Sequence, residues 1–245
     1  MLFDERQFSS QPAQACSISH SGEPDEHVRA DDISVRSREG GAAHAWRGRL
    51  FDIVFALTVL IAVLPVVILL IVLFKLESPG PAFFVQQRIG RNGVRFPCLK
   101  LRTMKVDAAA RLEALLATSP EARAEWEANH KLKNDPRTTA FGALIRKYSL
   151  DELPQLINIL VGHMSVVGPR PIVDDEIWRY GHHFAEYCSV RPGLTGLWQV
   201  SGRSNTTYEQ RVALDCLYVR DRSLALDVKI IFRSIPAVLN SRGAY

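Results

Sequence analysis

Cysteine is scarce in this sequence and follows no pattern: Cys16, Cys98, Cys188 and Cys216 stand far apart, with no C-x-x-C pair. That spacing argues against a disulfide framework or a thiolate metal site and fits reduced thiols facing the cytosol. No apolar h-region lies beside Met1, so the start is not read as a secretory signal. Aromatics and sustained periodicity are thin across residues 1–45, where four Arg meet eight Asp and Glu for a net charge of −4. We read that stretch as a disordered acidic leader. The remaining 26 basic and 18 acidic residues carry +8, a balance that points to anionic partners such as phosphates or lipid headgroups.

Charge itself is missing from Ile53 to Phe74, 22 residues that form the one such run long enough to span a bilayer. A soluble core helix seldom needs that length, so the segment predicts membrane contact. Pro65, near its middle, lacks a backbone donor and predicts a break or kink. Each half, about 10–12 residues at roughly 1.5 Å per residue, reaches only partway through the hydrocarbon. Both flanks are basic, with Arg47 and Arg49 before and Lys75, Arg88, Arg91, Arg95, Lys100 and Arg102 after. Flanks of one sign place both ends on the cytoplasmic side. A re-entrant helical hairpin over residues 46–76, broken at Pro65, satisfies both observations. The alternative is a single crossing, since proline is tolerated in spanning helices.

Ser78-Pro79-Gly80-Pro81 then turns the chain away from that segment. Residues 83–88 and 94–102 read as short strands about the turn Gly90-Arg91-Asn92-Gly93. Residues 106–131 read as a solvated helix pair interrupted at Ser119-Pro120, and residues 141–146 as a further helix after the turn Asn134-Asp135-Pro136-Arg137. A strand over 164–167 precedes Gly168-Pro169-Arg170-Pro171, whose prolines present the Arg170 fork with little entropy left to lose. Residues 190–203 form a glycine-rich loop; without the P-loop lysine its glycines are a weak phosphate signal. Two helices close the chain over 208–220 and 223–239, the second apolar enough to pack on the core or lie among headgroups.

The centre of the chemistry is Ser149-Leu150-Asp151-Glu152-Leu153-Pro154-Gln155. S-x-x-E before the run 156–160 predicts a capping box, with Ser149 at the N-cap and Glu152 three residues in. Asp151 then falls in a first helical turn, where backbone N–H groups and the helix dipole keep a carboxylate ionised. An oxygen nucleophile or a Mg²⁺ ligand needs that state. Taken alone, acids in a first turn usually only cap.

Several motifs together carry a resemblance. An Arg-rich lead-in to a broken apolar segment precedes Lys100-Leu101-Arg102-Thr103-Met104, Asp135-Pro136-Arg137, and Arg146-Lys147-Tyr148-Ser149-Leu150-Asp151-Glu152-Leu153-Pro154-Gln155. Gly168-Pro169-Arg170-Pro171 and Arg191-Pro192-Gly193-Leu194-Thr195-Gly196-Leu197-Trp198-Gln199-Val200 follow in that order. Over roughly residues 46–240 the chain resembles the bacterial sugar transferases, the monotopic phosphoglycosyl transferases, and among them the short enzymes that initiate exopolysaccharide synthesis. Leu101 stands where many members have Phe, and the several spanning helices that precede this region in longer members are not in this sequence.

The resemblance implies an α/β protein: a re-entrant membrane hairpin and a cytosolic domain over 77–245, built of helices and short strands with interfacial amphipathic helices. It implies transfer of a hexose-1-phosphate, galactose or glucose, from a UDP-sugar to undecaprenyl phosphate at the cytoplasmic face of the inner membrane. Asp151 would be the nucleophile and a Mg²⁺ ligand, and Glu152 would support metal and geometry. Arg146, Arg170 and Arg203 would hold phosphates, with Lys100 and Arg102 as weaker candidates. The implied partners are the UDP-sugar, undecaprenyl phosphate, inner-membrane lipids and a second copy of the chain, and no nucleic acid. The rivals are a membrane-anchored phosphohydrolase or phospholipid-forming phosphotransferase, and a tethered nucleic-acid-binding module. The last would scatter its cations among stacking aromatics, whereas here they cluster in Pro- and Gly-fixed loops beside an acid pair.

Overall fold

The computed structural model describes residues 41–129, 132, 135–201 and 206–239. Most of the expected acidic leader lies outside that set. Its last residues instead open helix α1, Gly41–Glu77, which is 37 residues long and so roughly 55 Å from end to end. Among the described residues α1 is the one helix long and apolar enough to cross a membrane.

The break expected at Pro65 is absent, because α1 runs through it. A proline inside a helix costs about 3 kcal/mol, yet the residues on both sides of Pro65 are held by packing. A stripe at intervals of three or four residues, Ala56, Val59, Val63, Val67, Leu70 and Phe74, faces the rest of the chain. Val63 touches two adjoining cores, one built on Leu156, Ile159 and Met164, the other on Leu101 and Ile145. Burying several such side chains at about 1.5–3 kcal/mol each outweighs the lost hydrogen bond. The opposite faces of α1 expose Leu57, Ile61, Leu64, Ile68, Leu69 and Val72. So broad an apolar surface marks a membrane-associated chain.

Polar contacts fix the N-terminal half of α1. Asp52 accepts hydrogen bonds from Ser165 Oγ and the Val166 N–H, each at 2.9 Å. Arg49 donates to the carbonyls of Ile159 (2.6 Å) and Leu160 (2.9 Å), and Arg191 to that of Gly162 (2.8 Å). Those carbonyls end helix α5, Gln155–Val161, where the helix leaves acceptors without partners and the dipole favours cations. Gly162, at φ 100°, is the left-handed stop that the sequence predicts there.

The expected hairpin forms. Strands β1, Phe83–Ile89, and β2, Arg95–Leu101, pair antiparallel from Phe83 opposite Leu101 to Ile89 opposite Arg95. The outer edge of β2 is satisfied by a side chain: Asn158 of α5 accepts from the Leu99 N–H (2.9 Å) and donates to the Pro97 carbonyl (2.7 Å). A second, parallel pair joins β3, Ser165–Val167, to β4, Gly193–Thr195. Here the motif glycines have a packing role. A Cβ on Gly193 or Gly196 would collide with the backbone of Gly168, so the two motif loops can cross only as glycine against glycine.

The remaining described elements are helical. Helices α2, Ala108–Thr118, and α3, Pro120–Asn129, break at Ser119 as expected, and α2 buries none of its residues. Helix α4, Ala140–Lys147, is capped by Thr139, which accepts the Gly142 N–H at 2.9 Å. Short helices α6, Ile177–Tyr180, and α7, Phe184–Cys188, were not anticipated. They enclose a core of Tyr180, Tyr187, Ile172, Val212 and Cys216. Helix α8, Leu197–Ser201, leads toward α9, Tyr208–Asp221, and α10, Leu224–Leu239. Helix α10 packs Ile230 into the core, as one of the two readings expects, and exposes Phe232 and Ile235 on its other side. With only two-stranded sheets among the described residues, the α/β expectation becomes a helix-dominated fold.

Candidate active site

The acid pair does not sit in a capping box. Ser149 adopts left-handed backbone (φ 56°) and makes no side-chain cap, and its N–H closes the end of α4 on the Arg146 carbonyl at 3.0 Å. Leu150–Glu152 form a single 3-10 turn, and α5 begins only after Pro154. Proline suits the first turn of a helix and has no N–H for a serine to cap. Ser149 therefore terminates one helix instead of starting the next. A left-handed non-glycine residue costs about 1–2 kcal/mol, and such strain tends to collect where a turn must aim functional groups. Here it aims Asp151 and Glu152 toward β2. A capping box does form elsewhere, between Thr207 and Gln210 at the start of α9.

Lys100 of β2 is the hub. Its Nζ lies 2.8 Å from Glu152 Oε1 and 3.7 Å from Asp151 Oδ2. Arg170, from the Gly-Pro-Arg-Pro loop, approaches the same Glu152 oxygen at 3.5 Å. Burial alone would raise the Glu152 carboxyl, but Lys100 and Arg170 outweigh it and hold the group down at about 2. Asp151 moves the other way: burial raises it, Lys100 opposes the rise, and the neighbouring Glu152 charge adds to it. The two carboxyls thus shift in opposite directions, Glu152 down and Asp151 up.

A pocket at Glu152 is lined by Arg88, Lys100, Arg170, Gln155 and Gln199 as well, while Asp151 lies outside its lining. Three cations converge on it. Arg88 was not among the expected site residues. It donates to the Pro171 carbonyl (2.9 Å) and to Gln86 Oε1 (2.7 Å), and so ties the hairpin to the Arg170 loop. The period of two along a strand puts Gln86 and Arg88 on the face shared with Cys98 and Lys100, and this register was the available signal. Gln199 donates to the Leu194 carbonyl at 3.2 Å, and its buried Oε1 has no partner.

The other expected residues divide. Arg146, on α4, lies near enough to Asp151 for its charge to lower that carboxyl, and it donates to Thr138 at 3.4 Å. Arg102 points elsewhere, over the Phe74 ring and onto the Ser78 carbonyl. Arg203 lies outside the described residues. One cluster of three metal-type ligands, His183, Glu186 and Cys216, stands among the described residues, but Arg220 holds both Glu186 oxygens at 2.7 and 3.1 Å.

Fold and site together define a membrane-associated protein in which three cations gather beside a half-buried acid pair. The profile of the bacterial sugar transferases matches residues 43–241, and the chain belongs to that family. It is 49% identical over 197 residues to the exopolysaccharide production protein ExoY of Rhizobium meliloti, covering 80% of this chain and 87% of that one. It is 50% identical over 198 residues to the undecaprenyl-phosphate galactose phosphotransferase of Salmonella typhimurium, covering 80% of this chain and 41% of the other. An uncharacterized sugar transferase of Haemophilus influenzae is 53% identical over 197 residues, 80% of this chain and 42% of its own. The chain thus spans nearly all of ExoY and less than half of the two longer relatives.

Proposed function

We propose that this protein transfers a hexose-1-phosphate, galactose or glucose, from a UDP-sugar to undecaprenyl phosphate and releases UMP, as the first step of exopolysaccharide synthesis. The observation that carries the reading is the Lys100–Glu152–Arg170 cluster with Asp151 beside it. It is a preformed seat for phosphate oxygens next to a carboxylate able to attack phosphorus. Galactose stands in the printed name of the Salmonella relative.

In the first step an Asp151 oxygen forms a bond to the sugar-bearing phosphorus, and the bond from that phosphorus to the UMP oxygen breaks. UMP leaves with the electron pair. In the second step an oxygen of undecaprenyl phosphate attacks the same phosphorus and Asp151 departs as a carboxylate. Two anions meet in each step, so the site must offset their repulsion. Lys100, Arg170 and Arg88 do so from three elements. Glu152 keeps Lys100 and Arg170 in place before substrate arrives, because its own charge stays fixed. Arg146 favours the ionised form of Asp151, the form that attacks.

The donor set suits Mg²⁺. Asp151 offers hard carboxylate oxygens with one cation no nearer than 3.7 Å, whereas Oε1 of Glu152 is taken by Lys100 and Arg170. Asp151 would hold the ion and Glu152 would assist through Oε2; when bound, it would neutralise phosphate oxygens.

We read the membrane segment as monotopic, with both ends of the unbroken α1 on the cytoplasmic face of the inner membrane. Arg49 and Asp52 near one end and Phe74 near the other contact the same compact body, which supports that reading. Exposed Phe232 and Ile235 of α10 supply a second lipid contact.

The test is incubation of the full chain, in nanodiscs with Mg²⁺ and UDP-galactose or UDP-glucose but no lipid acceptor. A burst of UMP matched by a hexose-phosphate adduct on Asp151 is expected. UMP release only when undecaprenyl phosphate is present, with no adduct, would remove the covalent step.

A further inference from the structure

Three side chains able to bind a metal meet between α7 and α9, outside the lining of the Glu152 pocket. His183 directly precedes α7, Glu186 stands in the first turn of that helix, and Cys216 lies on α9. A ring nitrogen, a carboxylate oxygen and the sulfur from these three all lie within 4.8 Å of one another. Nδ1 of His183 stands 3.4 Å from Glu186 Oε2, and Glu186 also accepts a hydrogen bond from the Cys216 thiol. Around a tetrahedral Zn²⁺, with bonds of about 2.0–2.3 Å, donor atoms stand roughly 3.3–3.8 Å apart. A closure of about 1 Å therefore brings all three onto one ion.

A cation already stands at this place. The guanidinium of Arg220, one turn beyond Cys216 on α9, reaches the two Glu186 oxygens at 2.7 and 3.1 Å. Arg220 is 61% exposed, and an ion pair so open to water is held weakly. Cys216 differs: it is 5% exposed and packs in the core of Tyr180, Tyr187 and Ile172, which fixes the sulfur in place. One sulfur, one imidazole nitrogen and one carboxylate make a borderline donor set. Such a set suits Zn²⁺ and its neighbours, whereas Mg²⁺ prefers oxygen alone. Asp151 and this cluster thus select different ions by their chemistry.

We propose that His183, Glu186 and Cys216 form a site for Zn²⁺ or a similar borderline divalent ion, with water in the fourth position and Arg220 as the displaceable occupant. On binding, the ion replaces the thiol proton, which passes to solvent, and Arg220 turns outward. The ion would tie α7 to α9 behind the frame of the Glu152 pocket. Tyr187 of α7 donates to the Ile89 carbonyl (2.8 Å) and accepts the Ile172 N–H (3.2 Å). Ile89 directly follows Arg88, and Ile172 lies two residues beyond Arg170. The site stands on its own donor set and not on the transfer chemistry.

The experiment titrates the full chain, in neutral detergent with excess Mg²⁺, with Co²⁺ as a coloured substitute for Zn²⁺. It follows the thiolate-to-cobalt absorption band in the near ultraviolet. A saturable band at one ion per chain, removed by added Zn²⁺, is expected. Cys216→Ser should abolish it, while Cys98→Ser and Cys188→Ser should keep it. Glu186→Gln and His183→Asn should each weaken Co²⁺ binding about 100-fold or more, since even outer-shell partners cost up to that much. Both change partly exposed side chains, so a normal circular dichroism spectrum lets them decide the question if Cys216→Ser does not fold. Arg220→Gln should tighten binding, by up to about fivefold, because it removes a competing cation; unchanged affinity would overturn its role as occupant. The site itself is overturned by absence of a band, by a band that survives in Cys216→Ser, or by unchanged affinity in Glu186→Gln. None of these readouts is turnover, so a protein that transfers no sugar still answers.

Discussion

Two carboxyls, one half-buried and one fully buried, show how this molecule separates chemistry from structure. Glu152 meets Lys100 and Arg170 and is held at about 2. Asp215 of α9, 1% exposed, accepts one hydrogen bond from Tyr180 at 2.8 Å, and its second oxygen has no partner. Burial drives Asp215 up to about 7, against opposition from the Tyr180 hydrogen bond and the Arg211 charge. Loss of water pushes both carboxyls up, yet their net shifts are opposite, and the difference is how closely cations approach. Where they converge, a carboxylate stays ionised and holds the cations in place. Where they do not, the acid tends to keep its proton and acts as a core hydrogen-bonding group.

The sharpest way to break the contrast is at its reactive end. Asp151→Asn should abolish both the UMP burst and the covalent adduct, with an unchanged circular dichroism spectrum and melting temperature within a few degrees; a retained adduct would place the nucleophile elsewhere. Glu152→Gln comes next. It leaves Lys100 and Arg170 facing a neutral amide, and kcat should fall by roughly 10²–10³, a loss typical of a removed electrostatic stabiliser. A variant with wild-type kcat would show that the cations need no anchor.

The pH dependence should separate the two acids on one axis. The Glu152 pKa is depressed, from 4.5 to about 2, so its stabilising contribution is complete above 4.5 and is lost as pH falls toward 2. For Asp215 the folded value is raised, from 3.8 to about 7, so its contribution is present below 3.8 and is lost as pH rises through 7. Chemical denaturation across pH should find the acid-side loss missing from Glu152→Gln and the loss toward pH 7 missing from Asp215→Asn. The smallest effect expected is on melting temperature at pH 8, where Asp215→Asn should gain about 2–4 °C, as about 1 kcal/mol would give in a chain of this size. A drop at pH 8 matching that at pH 5 would mean that the Tyr180 contact, not the charge, dominates.

Local patterns were legible where neighbours along the chain decide the outcome. The hairpin about Asn92 and Gly93, the Gly162 stop, the Ser119-Pro120 interruption and the two closing helices are all present near their expected bounds. What failed were signals that a distant partner overrides. Ser149-x-x-Glu152 has the form of a cap, but Lys100 and Arg170 hold the glutamate and Pro154 delays the helix. Pro65 should break a helix, yet cores on both sides of it hold α1 continuous. Arg88 looked like a membrane flank until strand register set it on the hairpin face that also carries Lys100. Arg102 looked like Lys100, two residues earlier on the same strand run, and points to a different place.

The residue types alone determined that this protein carries a segment suited to a membrane and cations suited to anions. An uncharged run of 22 residues and arginines confined by proline and glycine have those consequences in any fold that keeps them together. Tertiary structure decided which charges meet. Coulomb energy depends on separation and on access of water, and neither is written in sequence spacing. Lys100 and Glu152 stand 52 residues apart along the chain and 2.8 Å apart in space, while Lys100 and Arg102 are near neighbours that the fold turns to different ends.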